Sequence, residues 1–544
     1  MVMMGHAREP NGSGASGGRR SRRLGSATVA ASVLAVVAVL TLIAVLRPVT
    51  RPPGSGTPGA ATTRQPGTGS RRSAATVTIA AAARLTAVPR SFLGLSTEYW
   101  TVPAWTRHML LARRVLSLLA VNGPIVLRIG GDSADHTFWA PSQELPEWAF
   151  ELTPSWLRTV RQLVARSGIH LILDLNLVTA TPRDAALWAR VAEAALPGES
   201  IIGFEIGNEP DIYSHSSWLS STSGGARSRT LPRRITAANY ATVFGVYARA
   251  LERVDPGVPL FGPALAEPSS HLRFVSTLLR GQHRGLRAIT VHRYPYSQCA
   301  TRGARTFPSI ARVLSEHATA GMAQTIRPAL ALARRAGVPL RLTEMNSVTC
   351  GGRRGVSDTF ATALWAPDAL FEMLHAGAAS ASIHVRADAI NEAFSLTARG
   401  LIAHPLLYGM TLFARTLGSD PQLVPLTLRA GRALHLKAWA VRVRGDELNV
   451  LLIDKGARNA HVTLALPAGG PGKVQRLLAP SVRARSRVTL GGQRLGADAR
   501  WVGRRRTETV TAGTGGYALT VGAMSAALVT VRLRAGALSG APVG

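Results

Sequence analysis

The chain has 544 residues, 46% of them hydrophobic and 17% charged, which excludes wholesale disorder and leaves room for a barrel-sized domain plus a second one. Its formal charge of +33 invites a nucleic-acid reading, but lysine occurs only at Lys437, Lys455 and Lys473, and the arginines are scattered rather than gathered on one stripe. No nucleic-acid partner is expected; a basic surface favours anionic glycans or an anionic envelope.

Residues 1–26 are rich in Gly, Ser and Arg, and Arg19, Arg20, Arg22 and Arg23 precede an uncharged apolar run from Ala27 to Leu46. That run has about the length that spans a bilayer, whereas the apolar core of a cleavable signal is about 7–15 residues. The reading is a basic cytoplasmic tail at 1–26, a transmembrane helix or signal anchor at 27–46, and a catalytic body outside the membrane, secreted if the segment is cleaved. Residues 47–75, rich in Pro, Gly, Ser and Thr, read as a flexible linker. An alternating stretch around Val77 and Ile79, within 76–91, is expected to join a β-sandwich that lies far downstream.

From 92 to 415 the chain repeats a buried strand followed by an amphipathic helix. Strands are predicted at Phe92–Ser96, Ile125–Ile129, His170–Leu175, Ile201–Ile206, Leu260–Pro263, Ala288–His292, Leu340–Thr343 and Ala381–Val385. Helices are predicted at Leu110–Ala120, Pro154–Ser167, Pro182–Ala195, Ala237–Val254, Leu272–Leu279, Ile326–Ala336 and Ser357–Ala376. Eight strands interleaved with helices imply an α/β fold, a closed (β/α)8 barrel of the TIM type. Residues 416–544 change texture to short alternating strands with Gly-rich turns, including Ala433–Val441, Leu448–Ile453, Ala460–Leu466 and Ala526–Leu533, the pattern of a C-terminal antiparallel β-sandwich domain.

Barrels keep their chemistry at the carboxyl ends of their strands. The fourth strand runs into Gly207-Asn208-Glu209-Pro210-Asp211, and the seventh ends in Thr343-Glu344-Met345-Asn346. Two glutamates at the mouth suit retaining glycoside hydrolysis, in which one protonates the leaving oxygen and the other attacks the anomeric carbon, about 5–5.5 Å away. Arg128, ending the second strand ahead of Asp132, would keep a nucleophilic carboxylate ionised. His292, Tyr294 and Tyr296 end the sixth strand with hydrogen-bonding groups, and Asn208 can donate to a sugar hydroxyl. Each alone is as often a structural salt-bridge or hydrogen-bond partner; their convergence on one face carries the argument. No His/Cys/Asp/Glu run has metal-ligand spacing, so neither metal nor cofactor is expected. Cys299 and Cys350 each follow a predicted barrel strand, and those two strands are expected neighbours; free thiols are the plain alternative, and an extracytoplasmic body favours a disulfide.

The segments Leu127–Asp135, Gly203–Asp211, Thr343–Gly352 and Gly355–Ala361 together resemble glycoside hydrolase family 79, the β-glucuronidase and heparanase-like family, in the clan of barrels with glutamates on strands four and seven. The resemblance covers roughly residues 90–460. It implies a retaining β-glycosidase acting through a covalent glycosyl-enzyme, with Glu209 as acid/base and Glu344 as nucleophile, and a β-glucuronide or uronate-containing glycan as substrate. Asp132, Asn346 and Gly351 fall in the matching segments as supporting residues, and Glu98, just past the first predicted strand, is a further supporting candidate. Where bacterial β-glucuronidases of the family can carry a tyrosine in the loop after the nucleophile, this chain has Thr349, while Gly351 keeps a backbone N–H for a uronate carboxylate. Arg293, Arg353 and Arg354 are further carboxylate candidates, each also readable as a solvated loop charge. The same mechanism on a neutral glucoside or xyloside is one alternative. A catalytically silent carbohydrate-binding surface protein is another, which the presence of both glutamates disfavours.

Overall fold

The computed structural model describes residues 74–140, 144–214, 231–232, 234–281 and 283–538. The proposed tail, anchor and nearly all of the linker, and most of the Ser- and Arg-rich insertion between Tyr213 and Arg234, lie outside those residues. Among the described residues, no helix is long and apolar enough to cross a membrane.

Eight parallel strands close into a barrel: β1 (Leu93–Glu98), β2 (Val126–Gly130), β3 (His170–Leu175), β4 (Ile201–Ile206), β5 (Leu260–Leu265), β6 (Leu286–Arg293), β7 (Leu340–Met345) and β8 (Ser380–His384). The helices that follow them are α1 (Met109–Leu119), α2 (Pro154–Ser167), α3 (Pro182–Ala195), α4 (Ala237–Glu252), α5 (Leu272–Arg280), α6 (Ala320–Arg335), α7 (Phe360–Ala376) and α8 (Pro405–Leu417). Local sequence explains several boundaries. Thr153 and Thr181 each cap a helix that begins with Pro at its first position, and at α3 Asp184 returns the bond in a capping box. Gly168 closes α2 in the left-handed conformation that a helix end favours and glycine adopts without cost.

α8 has no counterpart in the sequence reading, and its burial explains why. Twelve of its thirteen residues are buried, so no polar face marks a helical period. α7 is similarly immersed from Phe360 to Leu374. Both helices sit between the barrel and a β-sheet, and the stacked rings of Phe371 and Trp439, 5.3 Å apart, join helix to sheet. Beneath them Asp368 accepts from the Trp439 indole at 3.0 Å and from Lys455 at 2.8 Å, so the buried charge is paired.

That sheet is one half of a sandwich. Its strands include Leu436–Val443, Glu447–Asp454, Ser525–Leu533 and Ala468–Leu478, and a five-stranded sheet faces it across a core holding Val77, Val450, Leu452, Val462, Leu464 and Val529. The early strand Ala74–Thr78 lies in the five-stranded sheet, antiparallel to Thr427–Ala430 and parallel to Ala460–Ala465, which makes this domain discontinuous in sequence. Ala468–Leu478 escaped sequence reading because Gly469-Gly470-Pro471-Gly472 reads as a turn; the strand carries those residues on an irregularity in its pairing with Ser525–Leu533.

Candidate active site

Polar residues gather where the barrel strands end. Glu98 closes β1, Arg128 lies in β2, Asp174 in β3 and Glu205 in β4, while His292, Glu344 and His384 stand at the ends of β6, β7 and β8. Charged groups in an apolar barrel must be paired, and Arg128 provides the pairing. Fully buried, it uses its whole guanidinium fork: Nε donates to Glu205 at 2.7 Å, one terminal nitrogen to Glu344 at 2.8 Å and Ser96 at 3.4 Å, the other to Asp174 at 2.8 Å and Asn208 at 2.9 Å. Burial disfavours its charge, but Glu205, Asp174 and Glu344 together hold it firmly cationic. Thr343 donates to the other oxygen of Glu205 at 2.8 Å.

Glu344 receives two further groups. The Tyr294 hydroxyl donates to its Oε1 at 2.6 Å, and His384 Nδ1 lies 3.2 Å from the same oxygen. Burial alone would raise this carboxyl; His384, His292 and Arg128 overcome it and keep Glu344 well below the ordinary glutamate range. Burial and the facing Glu344 push the Tyr294 phenol well up, which keeps it a donor. His384 also reaches Glu98 through Nε2 at 3.5 Å; against burial, Glu344 and Glu98 raise it to about 10, so it is an imidazolium at neutral pH. Glu98 is in turn fixed by the Ser133 N–H at 2.9 Å. Burial raises its carboxyl, but His384 outweighs that and leaves it lowered. Gly131, at φ +69, must be glycine here, because a Cβ would stand 2.5 Å from a Glu98 oxygen.

Glu209 meets a different environment. It sits just past β4 at φ +52, a left-handed conformation that costs a non-glycine residue about 1–3 kcal/mol and is concentrated at functional sites. Its N–H donates to the Ala264 carbonyl at 3.1 Å, and Pro210 follows with its fixed backbone. Among the described residues its side chain makes one bond, between Oε1 and His292 Nδ1 at 2.9 Å, and it remains 18% exposed. Burial raises its carboxyl, with Glu344 and Asp211 adding to the rise and His292 only opposing it. Asn208 is locked by Arg128 on its carbonyl and by the Tyr213 hydroxyl, which accepts from its N–H at 3.1 Å. Its amide NH2 points at Asp132, 3.4 Å away. Asp132 faces the mouth; the closeness of the barrel walls and of Glu98, Glu209 and Glu344 raises its carboxyl.

These side chains line a cavity of about 190 Å3, together with Ile212, Thr349, Cys350, Gly351, Arg386 and Asn391. That is the volume of about six liquid waters, close to the bulk of one sugar ring. Oxygen atoms of Glu209 and Glu344 come within 4.8 Å of each other, and His292 within the same distance of both. The three would also meet metal-ligand spacing, a cluster that the linear sequence does not reveal, although each is already engaged by neighbouring protein groups.

Of the residues singled out from sequence, Glu98, Arg128, Asp132, Asn208, Glu209, His292, Tyr294, Glu344 and Gly351 come together here. Others do not. The Tyr296 hydroxyl turns away and donates to the Arg312 carbonyl at 2.9 Å. Asn346 is buried and braces the loop after β8, donating to the carbonyls of His384 and Asn391. Arg293 bonds Thr325 and Glu267, Arg353 lies over the Phe307 ring, and Arg354 is exposed; none of them lines the cavity. Cys299 and Cys350 form a disulfide that ties the loops after β6 and β7, beside a short pairing of Tyr296–Ser297 with Val348–Thr349. Asp174, Glu205, His384 and Arg386 went unnoticed in the sequence. Asp174 and Glu205 are acidic residues inside largely apolar strands, and that interruption is the signal that could have found them; His384, ending a strand with two serines, gives no such signal.

Comparison with known proteins agrees with this architecture. Residues 438–528 match the Glycosyl hydrolase family 79 C-terminal beta domain. Among solved structures, the chain is similar to a 4-O-α-L-rhamnosyl-β-D-glucuronidase from Fusarium oxysporum, with TM-score 0.68 and 18% identity over 84% of this chain and 100% of that one. A GH51 arabinofuranosidase from Xanthomonas axonopodis pv. citri follows with TM-score 0.61 and 14% identity over 84% and 100%, and the GH family 44 endoglucanase Cel44A from Clostridium thermocellum with 0.55 and 15% over 85% and 100%. No curated protein matches the chain. The chain therefore shares the fold of these glycosidase structures, a barrel with an attached β domain. The resemblance to glycoside hydrolase family 79 is borne out, and by a stretch lying wholly beyond the segments that first suggested it.

Proposed function

We propose that the protein is a retaining β-glycosidase of the β-glucuronidase type, acting by double displacement. The observation that carries this reading is the pair Glu209 and Glu344, with oxygens within 4.8 Å and oppositely tuned surroundings. Inverting enzymes hold their carboxyls about 6.5–9.5 Å apart to admit a water, and the closer approach here favours direct attack. Glu344, kept ionised, attacks the anomeric carbon as Glu209 passes its proton to the departing glycosidic oxygen. Glu209, now a carboxylate, takes a proton from water, which attacks the same carbon and releases Glu344. Arg128, Tyr294 and His384 hold the nucleophile oriented and anionic; His292 orients the acid.

The glucuronide assignment is supported by the family-79 domain and by the likeness to a protein described as a glucuronidase. An extracytoplasmic location is supported by the Cys299–Cys350 disulfide at the mouth, since such bonds persist in oxidising compartments, and by the apolar run at 27–46 of the sequence, which we propose as a membrane anchor.

The test is hydrolysis of p-nitrophenyl β-D-glucuronide, β-D-glucoside and β-D-xyloside by the full chain. Glucuronide turnover with retention of configuration is expected, with activity abolished in Glu344→Ala. In Glu209→Ala the loss should be about 10²–10⁴-fold and greatest for poor leaving groups, as removal of a general acid requires. Inversion at the anomeric carbon, or full activity in Glu344→Ala, would overturn the mechanism; turnover of a neutral glycoside alone would replace the sugar.

A further inference from the structure

A uronate entering this cavity brings a negative charge into a space lined by Glu98, Asp132, Glu209 and Glu344, of which Glu98 and Glu344 are the two held ionised. Unless a cation meets it there, its desolvation is uncompensated and those two carboxylates repel it. The cations already described are committed. Arg128 spends its whole fork on protein oxygens beneath the cavity, and His384 is shared between Glu344 and Glu98.

Arg386 is different. It lies two residues beyond the end of β8, half-buried, on the cavity wall, and no hydrogen bond or ion pair joins its guanidinium to another described residue. Its position is nonetheless fixed by the loops around it. One terminal nitrogen packs against Gly351, 3.2 Å from where a Cβ would stand, and Gly351 adopts φ +74. The Gly351 carbonyl accepts from Ile390 at 2.8 Å and Asn391 at 3.3 Å, Asn391 donates to the Val348 carbonyl at 2.7 Å, and the disulfide at Cys350 anchors the same turn. The loops after β7 and β8 are thereby stitched into one wall, and the Gly351 N–H on that wall donates to no described group. An unpaired planar fork beside an unused N–H, both on the wall of the cavity, makes a receptor for a carboxylate.

We infer that Arg386 is the specificity-determining residue of this cavity, binding the carboxylate of an anionic sugar and separating uronides from neutral glycosides. The inference rests on the proposed glycosidase function and adds to it the residue that reads the acid group.

The experiment compares wild type, Arg386→Gln and Arg386→Lys, each as the full chain, on p-nitrophenyl β-D-glucuronide and p-nitrophenyl β-D-glucoside, with D-glucuronate binding measured by calorimetry on the same proteins. In Arg386→Gln we expect KM for the glucuronide to rise about 10- to 100-fold, the loss of a charge-assisted bond, with kcat changed little. The glucoside should be cleaved as before or better, the thermal midpoint should hold, and Arg386→Lys should recover part of the loss because it restores charge without the fork. Equal losses on both substrates, or none on either, would overturn the inference while leaving the proposed function standing. A wild type that cleaves only the glucoside overturns the inference and the uronate reading together. If wild type cleaves neither, calorimetry decides: glucuronate binding that disappears in Arg386→Gln supports the inference, and binding that is absent or indifferent to the substitution rejects it.

Discussion

The two walls of the cavity hold the same side chain in opposite states. Glu344 is reached by three donors, Arg128, Tyr294 and His384, whereas Glu209 is reached by one, His292, and otherwise faces anions. Burial pushes both carboxyls up; on the Glu344 wall the cations reverse it, and on the Glu209 wall they do not. In the proposed mechanism, role is therefore set by what surrounds each glutamate rather than by glutamate itself. A retaining mechanism needs Glu344 ionised and Glu209 protonated, so activity should appear above the pKa of Glu344 and vanish above that of Glu209. The expected kcat/KM profile is a bell whose acid limb lies below the ordinary glutamate value and whose basic limb lies above it.

The strongest way to break the contrast is Arg128→Met. This removes the one cation shared by Asp174, Glu205 and Glu344, all deeply buried. Stranding buried carboxylates costs about 3–5 kcal/mol, which should appear as a lowered denaturation midpoint together with loss of activity. An unfolding free energy within about 0.5 kcal/mol of wild type, the range of ordinary surface substitutions, would show that the barrel mouth does not depend on Arg128.

His384→Gln should act on one wall only. His384 is the foremost charge opposing burial at Glu344, and it has no comparable part at Glu209. Its loss raises the Glu344 carboxyl, so the acid limb climbs towards neutrality while the basic limb stays, narrowing the bell. On the acid side kcat/KM should fall about tenfold or more, worth about 1.4 kcal/mol of barrier. Movement of the basic limb instead would reverse the assigned roles.

Most of the barrel could be read from sequence because parallel strands buried on both faces leave long apolar runs, and His170–Leu175 and Ile201–Ile206 emerge with the predicted ends. α8 could not, since a helix wrapped on every side loses the polar face that marks its period. The paired glutamates were legible because each stands where an apolar strand breaks. Asp174, Glu205 and His384 were not, because their roles come from closure of the barrel, which brings β3, β4 and β7 around Arg128 and β8 against Glu344. Tyr296 was misplaced for a related reason: past the end of β6 the chain twists into a short pairing with Val348–Thr349, and its hydroxyl leaves the mouth for Arg312. Position after a strand predicts nearness to the site, but not the direction a side chain takes.

The gentlest test is His292→Gln, and it separates contact from field. His292 touches Glu209 at 2.9 Å and lowers its carboxyl through that bond, yet it also stabilises the charge of Glu344 from across the cavity. Removing it should therefore raise both carboxyls. The acid and basic limbs then move upward together, and the bell shifts to higher pH instead of narrowing as in His384→Gln. The rate at the new optimum should stay within about tenfold of wild type, since both carboxyls of the proposed pair remain and the barrier changes by no more than about 1.4 kcal/mol. A shift of the basic limb alone would mean that His292 serves only the acid, and that Glu344 is held ionised by its own wall.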